Sequence, residues 1–191
     1  GSSVGTGATY TLSSAEQPGD TLYCLATVTD SDGNAISEAT WVEVENASPE
    51  VDSVVISPSN GVYNDSQIEC SATATDLEGA TTFTYEWTQN DTAFSTDALV
   101  DLSQFSIAPG DTLVCNVTAI DDEGETGTSS SSITVENRSP TVTSVTLSNS
   151  TPKANEEVTC SAVVDDPDGE TPSVVYAWRH NGVIVATGEQ A

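Results

Sequence analysis

Across 191 residues, three Lys and Arg face thirty Asp and Glu, for a formal charge of −27 at neutral pH. Nucleic acid and anionic membrane surfaces are excluded as partners because both repel such a chain, whereas cations and a high-salt medium suit it. An ordinary 36% apolar content with scattered acidic residues predicts a folded chain, and no window is long and apolar enough to span a membrane.

In chain order, the complete pattern begins near residue 51. Ile68, Cys70, Ala72 and Ala74 point one way while Glu69, Ser71 and Thr73 point the other. The same period of two runs through Phe83, Tyr85 and Trp87, through Leu113, Cys115, Val117 and Ala119, and through Ile133 and Val135. Half-buried strands broken by Gly, Asp, Asn and Pro are expected near 51–57, 67–75, 82–89, 97–106, 112–120 and 128–136. No stretch carries a helical period. The fold class is therefore all-β and antiparallel.

The chain also repeats itself. Pro18-Gly19-Asp20 and Cys24 return 91 residues later as Pro109-Gly110-Asp111 and Cys115. Val44-Glu45-Asn46-Ala47-Ser48-Pro49 returns as Val135-Glu136-Asn137-Arg138-Ser139-Pro140, and Cys70, Asp76, Tyr85 and Trp87 return as Cys160, Asp166, Tyr176 and Trp178. A fixed period of this length marks small domains in series. Its phase makes residues 48–139 one complete unit, 1–47 the closing half of another (its last three strands), and 140–191 the opening half of a third (its first three strands). Neither half buries its apolar face alone, so head-to-tail completion by a copy or continuation of the chain is expected.

The four cysteines are widely spaced at equivalent places, with no C-x-x-C. Regular pairs of this kind favour disulfides and an oxidising, extracellular or cell-surface setting; buried free thiols are the other reading. Six N-x-S/T sequons occur. Those at Asn64, Asn90, Asn116 and Asn149 read as glycan acceptors if the source modifies extracellular asparagines, and Asn46 and Asn137, before Ser-Pro, read as strand-end turns.

A shorter echo carries the chemistry. Cys-x5-Asp-x-[Asp/Glu]-Gly occurs four times, giving Asp30 and Asp32, Asp76 and Glu78, Asp121 and Glu123, and Asp166 and Asp168. If the cysteines lie on second and sixth strands, these turns share one pole with the incoming linker Glu45-Asn46…Glu50-Asp52. Converging carboxylates of this kind suit Ca²⁺, which takes six to eight oxygens in loose geometry. D-x-D-G is equally a turn in its own right, with Asp bonding its own backbone and Gly supplying positive φ.

Cysteine on the second strand, Trp on the third and cysteine on the sixth resembles the immunoglobulin-like β-sandwich. Asp-Pro-Asp-Gly (166–169), Val-Tyr-Ala-Trp (175–178), Asn181-Gly182 and Val-Glu-Val-Glu-Asn-Ala-Ser-Pro (42–49) resemble the PKD-like and cadherin-like repeats of secreted prokaryotic surface proteins. The resemblance covers the whole chain, although W-x-F-G-D-G is absent and Leu22 and Leu113 stand where antibody domains place a tyrosine. It implies tandem immunoglobulin-like antiparallel β-sandwiches, a Cys70–Cys115 bridge between sheets over Trp87, and Cys24 and Cys160 pairing to neighbouring segments.

Catalysis has little to stand on. His180 is the only histidine, and no G-x-S-x-G or phosphate-cradling glycine loop exists. Two function classes remain: a structural segment of an extracellular fibre or stalk, and a carbohydrate- or protein-binding module of a surface adhesin. Loop lengths barely vary between the repeats, which favours the structural class.

Overall fold

A computed structural model of the chain describes residues 4–13 and 15–189. It is all-β. Strands β1 (Thr21–Thr29) and β2 (Ala35–Glu43) form an antiparallel hairpin in register from Thr21 opposite Glu43 to Thr29 opposite Ala35. Then come β3 (Glu50–Ser57), β4 (Gln67–Thr75), β5 (Thr82–Gln89), β6 (Thr92–Ser95), β7 (Leu99–Asp101), β8 (Thr112–Ile120) and β9 (Thr126–Thr134). Strand β10 (Thr141–Leu147) pairs with β11 (Cys160–Asp165), and β12 (Val175–His180) with β13 (Val183–Glu189), all antiparallel.

Strands β3–β9 make a three-stranded sheet, β3-β4-β7, and a four-stranded sheet, β6-β5-β8-β9. A disulfide between Cys70 on β4 and Cys115 on β8 joins them, so the two sheets are the halves of a sandwich. Seven strands with cysteines on the second and sixth and Trp87 on the third match the expected immunoglobulin-like order.

Two local expectations are corrected. Residues 97–106 do not form one strand. Strand β7 stops at Asp101, whose carboxylate accepts from the Ser103 backbone N–H (3.0 Å) and Oγ (2.6 Å), and this cap starts a 3₁₀ turn over Leu102–Gln104. The unforeseen strand β6 follows a hairpin turn in which Asn90 and Asp91 both hold positive φ, 47° and 69°. Two such residues in succession match the twist of the strands they join. Strand β9 ends at Thr134, two residues early, because Val135 N–H bonds Asp111 O (2.9 Å) and Glu136 N–H bonds Val62 O (2.7 Å).

The chain divides into two compact units. The first comprises Gly1–Ser57, Glu69–Ala98 and Val114–Ser132, and the second Pro58–Ile68, Leu99–Leu113 and Ile133–Ala191. Each draws on residues 48–139. Ile56, Cys70, Trp87, Cys115, Val117 and Ala119 are the buried apolar side chains of the first; those of the second are Val62, Ile68, Val100, Leu102, Ile107, Leu113 and Val135. Trp87 is fully buried, and its indole N–H donates to Asp97 O at 3.0 Å.

Among the described residues, every buried apolar side chain except that of Pro49 in the first linker lies between Ile56 and Val135. The terminal strands bury none. In residues 4–43 only the hairpin β1–β2 is strand, so the expected third strand of that half is absent from the described residues, whereas 140–189 yields four strands where three were expected.

Candidate functional site

The site is built where the first linker meets two loops of the first unit. Asn46 donates from Nδ2 to Asp121 Oδ2 (2.7 Å), Ser48 Oγ donates to Glu125 Oε2 (2.6 Å), and the Ala47 backbone N–H donates to the Glu78 carboxylate. The linker is thereby tied to the β4–β5 loop, which carries Asp76 and Glu78, and to the β8–β9 loop, which carries Asp121 and Glu123. Linker and loops meet, but through Asn46, Ala47 and Ser48; the acids expected from the linker are not among these contacts, and Asp52 accepts instead from Thr75 Oγ1 (2.8 Å).

Electrostatics separate these acids. Burial pushes the Asp121 carboxyl up, but Asn46 Nδ2 and the backbone N–H groups of Glu125 and Gly124 outweigh it and hold the group below the ordinary carboxylate range. Glu78 is raised by burial, then by a hydrogen bond shared with the Asp76 carboxyl and by that group's charge, with Glu123 adding to the repulsion. Three buried oxygens here have no hydrogen-bond partner: Asp76 Oδ2, Glu78 Oε2 and Asn46 Oδ1. All three are acceptors. Among the described residues no three His, Cys, Asp or Glu side chains are grouped to hold a metal ion, so a cation at this place would need the Asn46 carbonyl and water besides carboxylates.

The second linker carries a different arrangement, within the second unit. The Arg138 N–H donates to Asp168 Oδ2 (2.5 Å), and its guanidinium reaches Asp168 Oδ1 (2.8 Å), Asp65 Oδ2 (3.0 Å), Asn64 Oδ1 (3.0 Å) and Pro167 O (3.0 Å). The guanidinium also lies 4.8 Å above the centre of the Tyr63 ring. Burial raises the Asp168 carboxyl, and the N–H and guanidinium of Arg138 more than reverse this.

The turn reading of the D-x-D-G echo holds in full at three of its four copies, since Gly79 does not adopt positive φ. Asp30, Asp76 and Asp166 each accept from the backbone two residues on, and Gly33, Gly124 and Gly169 hold positive φ. Asp30 and Asp32 sit in the exposed β1–β2 loop, where Asp30 is also bonded to Asn34. The Asp168 carboxylate is taken by Arg138.

Of the sequon asparagines, Asn90 is exposed at its hairpin tip, while Asn64, Asn116 and Asn149 are half-buried. Asn64 is no free loop residue, since its amide bonds Arg138 and Asp168 O (2.8 Å). Asn149 donates to Glu156 and accepts from Thr151 N–H. Asn116 borders a shallow groove of about 620 Å³ with Phe83, Tyr85 and Glu86. Trp41 is 61% exposed, and His180 is exposed. Sequence reasoning placed Asn46 in the linker at this pole without its bond to Asp121 and passed over Arg138, for which a basic residue within a linker, one of only three in the chain, was the available signal.

The sequence matches no known protein-family model and no curated protein. The formed Cys70–Cys115 bridge is the state expected in an oxidising, non-cytoplasmic compartment. Among the described residues no helix is long and apolar enough to cross a membrane.

Proposed function

We propose that this chain is a structural segment of an extracellular fibre, filament or surface stalk, built from tandem disulfide-bonded immunoglobulin-like repeats and propagated head-to-tail. The observation that carries this reading is an uncovered face that matches a covered one. On β8, Leu113, Cys115, Val117 and Ala119 are buried. Their counterparts on β1 are Leu22, Cys24, Ala26 and Val28, of which Cys24 is an exposed free thiol and Val28 is 69% exposed. Opposite Leu22 and Val28 on β2 stand Val42 and Ile36, also exposed.

The C-terminal strands offer the complement. Cys160 on β11 corresponds to Cys70 and is free, and Trp178 on β12 corresponds to Trp87 but is only half-buried. Pairing β1 of one copy or continuation alongside β12 of the next, with its Cys24 side facing β11, would reproduce the arrangement of β8, β5 and β4 around the Cys70–Cys115 bridge. A head-to-tail contact that does not close on itself propagates into a fibre.

The test is to concentrate the chain under oxidising conditions, image it by electron microscopy, and map crosslinks in an isotopically mixed sample. Filaments with Cys24–Cys160 peptides joining different copies are expected. A monomer with both thiols free at high concentration would sink the reading. The second reading, a binding module of a surface adhesin, has the groove beside Phe83 and Tyr85 in its favour. Saccharide-induced NMR shifts at Thr84, Glu86 and Thr118 would support it.

A further inference from the structure

In the complete unit, two bonds fix how β7 lies on the smaller sheet. Cys70 N–H donates to Ala98 O (2.8 Å) and Leu102 N–H donates to Ser66 O (2.9 Å), so β7 runs antiparallel along the edge of β4. Ile68, Val100 and Leu102 are buried along this seam.

The C-terminal repeat has the edge and lacks the strand. Thr159 O accepts from Ser148 N–H (2.9 Å), which turns that carbonyl toward β10. The Cys160 N–H belongs to the same trans peptide unit and therefore points the opposite way, off the other side of β11. Among the described residues no strand pairs on that side. The strand is also shorter where its partner is missing. Strand β4 starts at Gln67, whereas β11 starts only at Cys160, and residues 157–159, equivalent to 67–69 at an offset of 90, are not strand. The turn before them is the same in both copies: Ser66 N–H donates to Tyr63 O (3.1 Å) and Glu156 N–H to Lys153 O (3.2 Å). The approach to the edge is therefore intact, and what differs is the neighbour.

A strand that fits lies at the other end of the chain. Ala8-Thr9-Tyr10-Thr11-Leu12-Ser13 corresponds to Ala98-Leu99-Val100-Asp101-Leu102-Ser103 at an offset of 90, and one residue fewer before Pro18 restores the offset of 91. Tyr10 and Leu12 thus stand where Val100 and Leu102 are buried. Here the segment is not strand. Tyr10 Oη donates to Glu16 Oε1 (2.6 Å), and Ser13 N–H and Oγ donate to Glu16 Oε2 (2.8 Å each). Residues 4–13 are all exposed, so moving them uncovers no core.

We propose that residues 8–12 of one copy add as a strand to the open edge of β11 in another. Cys160 N–H then donates to Ala8 O, Leu12 N–H donates to Glu156 O, and Leu12 fills the place of Leu102. Strand addition of this kind takes its affinity from main-chain bonds and its specificity from alternate side chains. The inference rests on the fibre reading and gives it a second contact, on the sheet opposite to the one that β1 joins.

The register names its own test. Thr9 and Thr159 are the equivalents of Leu99 and Glu69, which neighbour the bonded pair Ala98 and Cys70. Such non-hydrogen-bonded partners approach to about 4.5 Å between Cα atoms, within reach of a disulfide. Whole chains carrying Thr9→Cys and Thr159→Cys singly are mixed, concentrated under oxidising conditions and imaged, and the bridges are located by peptide fragmentation. Thr6→Cys mixed with Thr159→Cys is the register control. Both threonines and the control position are exposed, so all three variants should fold. Filaments are expected, with the 9–159 bridge at least about tenfold more abundant than the 6–159 bridge, whose positions are too far apart in this register. Filaments that lack the 9–159 bridge, or that give both bridges equally, overturn the inference and leave the fibre reading standing. Chains that stay monomeric at high concentration overturn both.

Discussion

Gly127 on β9 and Pro49 in the first linker meet through their backbones. A Cβ on Gly127 would stand 1.9 Å from the Pro49 carbonyl oxygen and 3.0 Å from its carbon. No rotamer relieves a clash between main-chain atoms. Gly127→Ala should therefore push the linker off β9 and destabilise the chain by about 1–3 kcal/mol, the usual range for overpacking. Urea unfolding checks this, and an unchanged midpoint would contradict the contact.

Removing the bridge with Cys70→Ala and Cys115→Ala should lower stability by roughly 4 kcal/mol, because the bond closes a loop between residues 45 apart. Trp87→Ala empties a fully buried site and should cost about 3–5 kcal/mol. Both changes act on the core of the first unit, so the combined variant is expected to depart from additivity. Denaturant midpoints of the single and combined variants measure this.

The sheet pattern was legible because alternation is strong where one face is buried. Cys70 and Trp87 could be placed on the second and third strands from spacing, whereas Cys115 falls on the fifth of the expected strands and becomes sixth only once β6 is counted. Strand β6 was not legible: Thr92-Ala93-Phe94-Ser95 is short, and its existence depends on Asn90 and Asp91 both adopting positive φ. The stretch 97–106 reads as a strand until the Asp101 cap is seen. At the site, the convergence of Asp76, Glu78 and Asp121 with the linker followed from the repeat. What sequence could not give was which carboxylates already have a donor. Asp168 is satisfied by Arg138, while Asp76 and Glu78 keep an orphan oxygen each, and that difference lies in one linker residue.

Arg138→Ala should leave Asp168 buried without its cation and lower the thermal midpoint. The sign with pH is fixed by the depressed Asp168 carboxyl. A carboxyl lowered in the fold adds stability above its unfolded value and loses it as pH falls through the folded one. The gap between native and Arg138→Ala proteins should thus be widest near neutrality and close below about pH 4, near the ordinary Asp value. A gap that persists unchanged at pH 3 would show that Arg138 acts through its neutral partners, Tyr63, Asn64 and Pro167, and not through Asp168.

Glu78 has the opposite sign, because burial, Asp76 and Glu123 raise its carboxyl while only the Ala47 N–H lowers it. A raised carboxyl stabilises the fold at low pH and loses that contribution as pH rises through its folded value. In chelator at neutral pH, Glu78→Gln should accordingly raise the thermal midpoint. An ion bound at this loop would reverse the ranking in millimolar Ca²⁺, because binding only to the native form raises its stability. Midpoints recorded with and without chelator test both halves, and a ranking indifferent to calcium would separate the repulsion from any ion.

Self-association should depend on one face of the β1–β2 hairpin and not on the other. Leu22, Val28, Ile36 and Val42 share the face that corresponds to the buried side of β8, and Tyr23 and Trp41 lie opposite one another on the reverse face. Placing a carboxylate at Val28 would bury a charge under an incoming strand, at a cost large enough to prevent docking. It should leave the Trp87 core untouched, since the terminal strands contribute none of the buried apolar side chains among the described residues. Val28→Asp is therefore expected to abolish assembly in sedimentation velocity while the denaturant midpoint of the disulfide-linked sandwich stays put. The paired change Tyr23→Thr and Trp41→Ser removes more apolar surface, yet from the wrong face, and should leave assembly intact. If the aromatic pair proves to be the one that matters, the contact runs through the outer face. Completion of the sandwich would then be ruled out as the way the copies join.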